Sequence, residues 1–166
     1  MNLRHNVVDT PLGQVTLVAT GDAITGLYFR HHWYRPADLG ARVEQDPLLA
    51  EAAGQVAAYL TGERQGFDLP LATAGNAFQE RVWALLTQIP YGATTTYGAL
   101  AEQLGDKSLA QAVGRAVGHN PISVIVPCHR VVGSTGALTG YAGGLARKQF
   151  LLALEEPSPV AAGRLF

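Results

Sequence analysis

The sequence predicts an α/β (α+β) fold in two parts. Residues 1–75 form an N-terminal domain with a three-stranded antiparallel sheet and one helix, and residues 76–166 a mostly helical C-terminal domain with a winged-helix-like helix-turn-helix. Three observations predict this. Two-fold hydrophobic alternation runs from Val7 to Phe29, helical periodicity replaces it after Asp46, and glycine-marked turns separate short amphipathic segments from Asn76 to Gly118. At 166 residues, 48% hydrophobic and 15% charged, the chain can fill such a core and is not disordered.

In chain order, Val7-Val8, Val15 to Val18 and Ile24 to Phe29 are the three strands, parted by Thr10-Pro11-Leu12-Gly13 and by Gly21-Asp22. His31 to Pro36 is a loop, and its two adjacent histidines cannot face one metal from a regular element, so no metal site is expected there. Asp46-Pro47 is a helix start, with an acidic cap before proline, and Gly62 is the stop. Leu49, Ala52, Ala53, Val56 and Leu60 make the stripe that covers the sheet, and Gly66 to Gly75 reads as a linker. Nothing in 1–75 carries recognisable chemistry, so its expected role is support.

Asn76-Ala77-Phe78-Gln79 has capping-box form and opens a helix through Val82, Leu85, Leu86 and Ile89 that Pro90 ends. Thr96 caps a short helix closed by Gly105, and Ser108 is expected to cap another from Leu109 to about Gly118. Two short helices joined by a tight turn form a helix-turn-helix whose second member would face a nucleic acid. On that helix Gln111 and Arg115, four residues apart, share a side with Gly114 and Gly118. Two glycines inside a helix each cost about 1 kcal/mol, which either close approach to a nucleic-acid backbone, with Arg115 on a phosphate, or tight helix packing can offset.

Asn120-Pro121 ends the helix, and Ile122 to Val126 is expected to be a buried strand running into Pro127-Cys128-His129-Arg130-Val131. Small residues then dominate two loop stretches, Gly133-Ser134-Thr135-Gly136 and Gly140-Tyr141-Ala142-Gly143-Gly144. The last helix, Leu145 to about Glu155, should turn Phe150, Leu151 and Leu154 inward.

Cys128 is the only cysteine, which forbids an internal disulfide, and the N-terminus has no apolar stretch behind its charges. No apolar run approaches membrane-spanning length, so the expected setting is the reducing cytoplasm, with no membrane partner and a monomeric state. The net charge of −1 does not advertise nucleic acid, but the halves differ. Five basic and eight acidic residues up to Gly75 give −3, and seven basic against five acidic beyond it give +2, which implies modest phosphate contact.

A lone cysteine is commonly a small buried hydrophobe. Here Pro127 stiffens the approach and an imidazole follows, which makes the thiol a candidate activated nucleophile. On a strand, adjacent side chains point to opposite faces, so the neighbouring position of His129 does not by itself bring it to the sulfur.

Pro127 to Val131, with Gly92 to Tyr97, Asn120-Pro121 and Glu155, resembles the O6-alkylguanine-DNA alkyltransferases, the direct-reversal repair proteins. The likeness is strong from about Asn76 to Glu155 and looser before. It implies stoichiometric transfer of a small alkyl group from O6-alkylguanine, and from O4-alkylthymine, in double-stranded DNA to Cys128. His129 would be the base, reached through a water, Glu155 would orient it, and Asn120 would hold the thiol segment. Tyr97 would help flip the nucleotide, Tyr141 would stack on the base, and Cys128, Val131, Ser134 and Ala142 would meet its edge. No cofactor is implied, and the zinc site of some relatives lacks its cysteines here.

Two positions depart from the family pattern. Ala142 stands where serine is usual, and Gln111 where an arginine enters the duplex, which implies weaker DNA binding with repair retained. Gln111 could equally complete a Ser108 capping box. Three other readings compete. A non-repairing binder of alkylated bases usually lacks the cysteine, a cysteine hydrolase would need an oxyanion hole that the sequence does not show, and a plain helix-turn-helix regulator leaves Cys128-His129 unexplained.

Overall fold

The computed structural model describes residues 2–156. Strands β1 (Leu3–Thr10), β2 (Gly13–Thr20) and β3 (Ala23–Phe29) form the expected antiparallel meander. The sheet nevertheless has four strands, in the order β3-β2-β1-β4, because β4 (Ala41–Arg42) pairs in parallel with Arg4 and His5 at the edge of β1. Two residues are too short for an alternation signal, so the expected three-stranded sheet misses this strand.

Helix α1 (Pro47–Leu60) packs its Leu49, Ala52, Val56 and Leu60 stripe on the sheet, joined by Tyr59. Asp46 caps it by accepting from Leu49 N and receives Arg4 Nε at 2.6 Å, tying the helix start to β1. The linker expectation for Gly66 to Gly75 needs correction in part. Ile24 N donates to Pro70 O at 2.8 Å and Ala72 N to Ile24 O at 3.0 Å, so the stretch is fastened to β3.

The capping box at Asn76 forms, but α2 (Ala77–Leu86) stops a turn earlier than expected, and Thr87 to Ile89 close it through short-range turns. Strand β5 (Thr95–Thr96) leads into α3 (Tyr97–Gln103), which Thr96 caps. Ser108 is not a cap. Asp106 Oδ1 accepts from Ser108 N and opens a 3-10 turn, Lys107–Leu109, after which α4 (Ala110–Gly118) continues without a side-chain cap. An aspartate two residues upstream outcompetes the serine, and the capping-box alternative for Gln111 falls with it. Trp83 Nε1 donates to Ala116 O at 2.8 Å, locking α2 onto α4.

The stretch Ile122 to Val126 is buried as expected, but it is not a strand. Val124 has φ +72°, a left-handed conformation strained for a β-branched residue, and Val126 N returns to Ile122 O at 2.9 Å. The segment is a tight turn docked to the sheet by Leu27 N donating to Pro121 O. β-Branched composition therefore marked burial and not extension. Beyond it, β6 (Val131–Val132) pairs in parallel with β5, joining the Cys128 segment to the start of α3.

Helix α5 (Leu145–Glu155) turns Lys148, Leu151 and Glu155 inward, leaves Leu154 half-buried and exposes Phe150. The expected inward Phe150 is thus corrected: the buried stripe of this helix is largely polar. Among the described residues no helix is long and apolar enough to cross a membrane.

Candidate active site

Cys128, His129 and Arg130 form a single 3-10 turn. A turn this tight rotates successive side chains by about 120°, unlike the alternation of a strand, so the three reach different partners. All three are buried, with the Cys128 residue only 3% exposed.

His129 Nε2 lies 2.6 Å from Glu155 Oε2. Arg130 grips the same carboxylate, with Nε 2.7 Å from Oε1 and Nη2 3.2 Å from Oε2, and its Nη1 donates to Ile89 O at 2.6 Å. The Tyr59 hydroxyl, from α1, also donates to Glu155 Oε2. Burial pushes the Glu155 carboxyl up to about 8 against a hydrogen bond from the Gly92 backbone, while the Arg130 guanidinium beside it favours the carboxylate. We take the pair as ionised, because arginine keeps its proton inside proteins and two charge-assisted bonds stabilise the carboxylate.

A carboxylate only accepts, so the His129 proton sits on Nε2. Burial, reinforced by the Arg130 and Lys148 charges, holds His129 down to about 3, so the ring is neutral at pH 7. Its Nδ1 is left as a buried acceptor with no protein hydrogen-bond partner. The arrangement presents a neutral imidazole with its basic nitrogen fixed, suited to receiving a proton.

Burial pushes the Cys128 thiol up, opposed by side-chain hydrogen bonds from Asn120 and Ser123 and by the Lys148 charge. Asn120 is the staple of the segment: its Nδ2 donates to Val126 O at 2.8 Å, and its Oδ1 accepts from Ile122 N at 3.0 Å. Lys148 is fully buried and donates to Thr139 O at 3.1 Å.

Tyr97 is half-buried, and its hydroxyl is 2.9 Å from Thr139 Oγ1. Tyr141 is buried near Phe29 with its hydroxyl facing Ser123, and Ala142 and Val131 are buried too. Gln111, Arg115 and Ser134 are exposed, away from the sulfur's hydrogen bonds. Tyr97, Gln111, Gly114, Thr139 and Gly140 line a cleft of about 390 Å³ outside the buried thiol. A Cβ on Gly114 would meet only the Tyr97 ring at 3.7 Å, ordinary contact, so packing within the chain does not demand glycine there.

Trp33 also lines this cleft, and its backbone N–H donates to Ala142 O at 3.0 Å, while the Tyr34 ring stacks on His119 at 3.6 Å. The first 75 residues, expected to act as support, thus also reach the cleft wall and the end of α4. Arg130, Lys148, Ser123 and Trp33 escaped the sequence reading. One signal was available: Lys148, Leu151 and Glu155 are spaced to share one helix face, and Leu151 marks that face as the inward one.

Two depressed histidines make a pH signature. His129 is held down to about 3, and His32, buried and facing the Arg35 and Arg147 charges, to about 4, both from 6.5. Below pH 6.5 the unfolded chain takes up protons that the folded chain refuses. His32 contributes stability that is complete above 6.5 and is lost progressively as the pH falls toward 4, at up to about 1.4 kcal/mol per unit, while at His129 the slope is offset to the extent that burial raises its Glu155 partner. Urea unfolding at a series of pH values should show this acid slope, and a flat profile over that window would contradict the neutral assignments.

Comparison with known proteins gives a consistent set of similarities. The family model for the 6-O-methylguanine DNA methyltransferase ribonuclease-like domain matches residues 3–73, and that for the DNA binding domain of the same family matches 77–157. A methylated-DNA–protein-cysteine methyltransferase of Mycolicibacterium paratuberculosis is 46% identical over 99% of each chain. One from Methanosarcina acetivorans is 42% identical over 91% of this chain and 97% of its own. Among solved structures, Mycobacterium tuberculosis OGT in complex with DNA superposes with a TM-score of 0.86 at 44% identity, covering 92% of this chain and 93% of that one.

Proposed function

The chain belongs to the 6-O-methylguanine DNA methyltransferase family, and from that premise we propose that Cys128 is the alkyl acceptor, His129 its base and Glu155 the group that orients the base. The protein is a DNA-binding methyltransferase that repairs DNA by direct reversal. The observation that carries the residue assignment is the Cys128-His129-Arg130 turn, which pins Glu155 so that His129 keeps a free basic nitrogen.

The substrate is a double-stranded DNA carrying O6-alkylguanine, with O4-alkylthymine as a second lesion, and the protein acts as a monomer in the cytoplasm. Residues 1–75 brace the site and 76–166 bind DNA and carry the chemistry. The thiol proton passes to His129 Nδ1 through one water. The thiolate then displaces the base in line: a sulfur–carbon bond forms, the carbon–oxygen bond breaks, and its electron pair stays on the base, whose oxygen becomes a carbonyl as a ring nitrogen takes up the proton. A thioether is a poor leaving group, so each molecule acts once.

The reacting carbon is unreachable inside a duplex, so the nucleotide is flipped. Tyr97, at the start of α3 and on the cleft wall, assists that step, and Arg115 contacts a phosphate. The glycine at position 114 admits the backbone, since packing does not require it. With Cys128 at 3% exposure and Tyr141 and Ala142 equally buried, entry of the base requires the Ser134 and Thr139 to Gly143 stretches to move outward. Tyr141 then stacks on the base, while the Cys128, Val131 and Ala142 backbone reads its edge and Asn120 keeps the thiol segment in place.

The experiment is intact-protein mass spectrometry after incubation with a duplex containing one O6-methylguanine, with Cys128→Ala as control. One added methyl on Cys128, one lesion lost per protein and none in the control is the expected result. Lesion-selective binding without added mass would instead establish a non-repairing binder.

Gln111 is exposed on the cleft near the start of α4 and is neutral where the family carries arginine. Gln111→Arg should tighten duplex binding and steepen the log Kd against log salt plot by about one unit, one more phosphate neutralised. Unchanged affinity and salt slope would remove the explanation for weaker binding.

A further inference from the structure

A second histidine reaches the nucleophile through Ser123. His32 lies in the loop after β3, its ring stacked beside Phe29 at 5.8 Å and edge-on to Tyr28 at 5.3 Å. Phe29 N donates to His32 Nδ1 at 3.1 Å. A backbone N–H can only donate, so Nδ1 carries no proton, and in the neutral ring the hydrogen must sit on Nε2. The ring is neutral because it is largely buried and both charged groups facing it, Arg35 and Arg147, are cations.

His32 Nε2 lies 3.3 Å from Ser123 Oγ. Ser123 is completely buried in the strained turn around Val124, and its hydroxyl faces both the Cys128 sulfur and the Tyr141 hydroxyl. If Oγ accepts from His32, its own hydrogen is left for another acceptor. The groups facing the sulfur are Asn120, Ser123, Lys148, Tyr97 and Tyr141, and only Ser123 among them is tied to the N-terminal part by a hydrogen bond to a ring of fixed tautomer.

We propose that His32 is a positioning residue for the alkyl transfer: its Nε2–H orients the Ser123 hydroxyl so that the hydroxyl hydrogen points at Cys128 Sγ and stabilises the attacking thiolate. This rests on Cys128 being the nucleophile. It gives the N-terminal part a defined chemical task, since a loop from that part sets the hydrogen-bonding direction of a hydroxyl at the reacting sulfur. His32 touches no reacting atom.

The test is the pH dependence of single-turnover methyl transfer from an O6-methylguanine duplex, on the full chain and on His32→Gln, His32→Asn and Ser123→Ala. The glutamine amide nitrogen falls near the Nε2 position and keeps the donor to Ser123, whereas the asparagine oxygen replaces only Nδ1 and keeps the Phe29 bond. His32→Asn and Ser123→Ala should raise the midpoint of the profile by about one unit, the worth of a hydrogen bond to a charged acceptor. Below the midpoint, transfer should slow only about threefold, because a less acidic thiol gives a more nucleophilic thiolate.

His32→Gln should restore the native profile. Profiles for His32→Asn and Ser123→Ala that superimpose on the native one would overturn the proposal. So would equal shifts in His32→Asn and His32→Gln that track a fall in thermal midpoint, which would mark a purely structural ring. Failure of the nucleophile assignment is separately visible, as no methyl on Cys128 of the native protein at any pH.

Discussion

Glu155→Ala will lower the unfolding free energy by about 3–5 kcal/mol, the cost of leaving a buried charge unpaired, and will suppress methyl transfer in whatever folded protein remains. The carboxylate takes hydrogen bonds from His129, from two nitrogens of Arg130 and from the Tyr59 hydroxyl, all in a site closed to solvent. Without it, Arg130 keeps its bonds to Ile89 O and Tyr59 and the face of the Tyr91 ring, and His129 Nε2–H loses its acceptor. The His129 proton is then free to move to Nδ1, which removes the basic nitrogen from the sulfur side of the reaction. Urea denaturation measures the first effect and single-turnover transfer the second. The double variant Glu155→Ala with Arg130→Met should be less destabilised than the sum of the two singles, since it removes both charges. Strict additivity would show that the pair is not coupled.

Asn120→Ala is the second large loss expected. The side chain closes the turn by bonding Ile122 N with its oxygen and Val126 O with its nitrogen, and all three residues are buried. Alanine leaves Ile122 N unsatisfied, at about 1–3 kcal/mol, and leaves Val126 O with Cys128 N as its remaining donor. The turn also carries the left-handed Val124, so it stores strain that the asparagine holds in place. Released, the segment would shift the sulfur relative to His129. A displacement on the order of 1 Å can cost about a hundredfold in rate. Transfer should therefore fall further than the thermal midpoint alone would explain. A variant that melts early but transfers at the native rate would assign Asn120 to stability alone.

Much of the fold was legible because its signals are local. The meander strands alternate, Asp46, Asn76 and Thr96 cap helices as written, and the glycines at 62, 92 and 105 sit at positive φ where the turns were expected. What failed were choices between competing local signals. Asp106 displaced Ser108 as the cap, and the run Ile122 to Val126 reads as a strand by composition, yet Asn120 folds it into a turn. The candidate site was legible at Cys128 and His129, adjacent in sequence. Arg130, Lys148 and Ser123 were not, because nothing local distinguishes a buried ion pair from a solvated charge; their meaning comes from Glu155, Thr139 and His32, residues remote in the chain.

The Tyr59 hydroxyl on the Glu155 carboxylate has a consequence for how the molecule comes apart. Tyr59 belongs to the helix that covers the sheet, Glu155 to the last described helix, and Arg130 to the turn between. The charge cluster is thus a three-way clasp that is complete only while both halves are docked. Opening either half exposes an ion pair whose burial the other half enforces. Partial unfolding is penalised at its first step, and the two halves, though separate in sequence, melt as one cooperative unit.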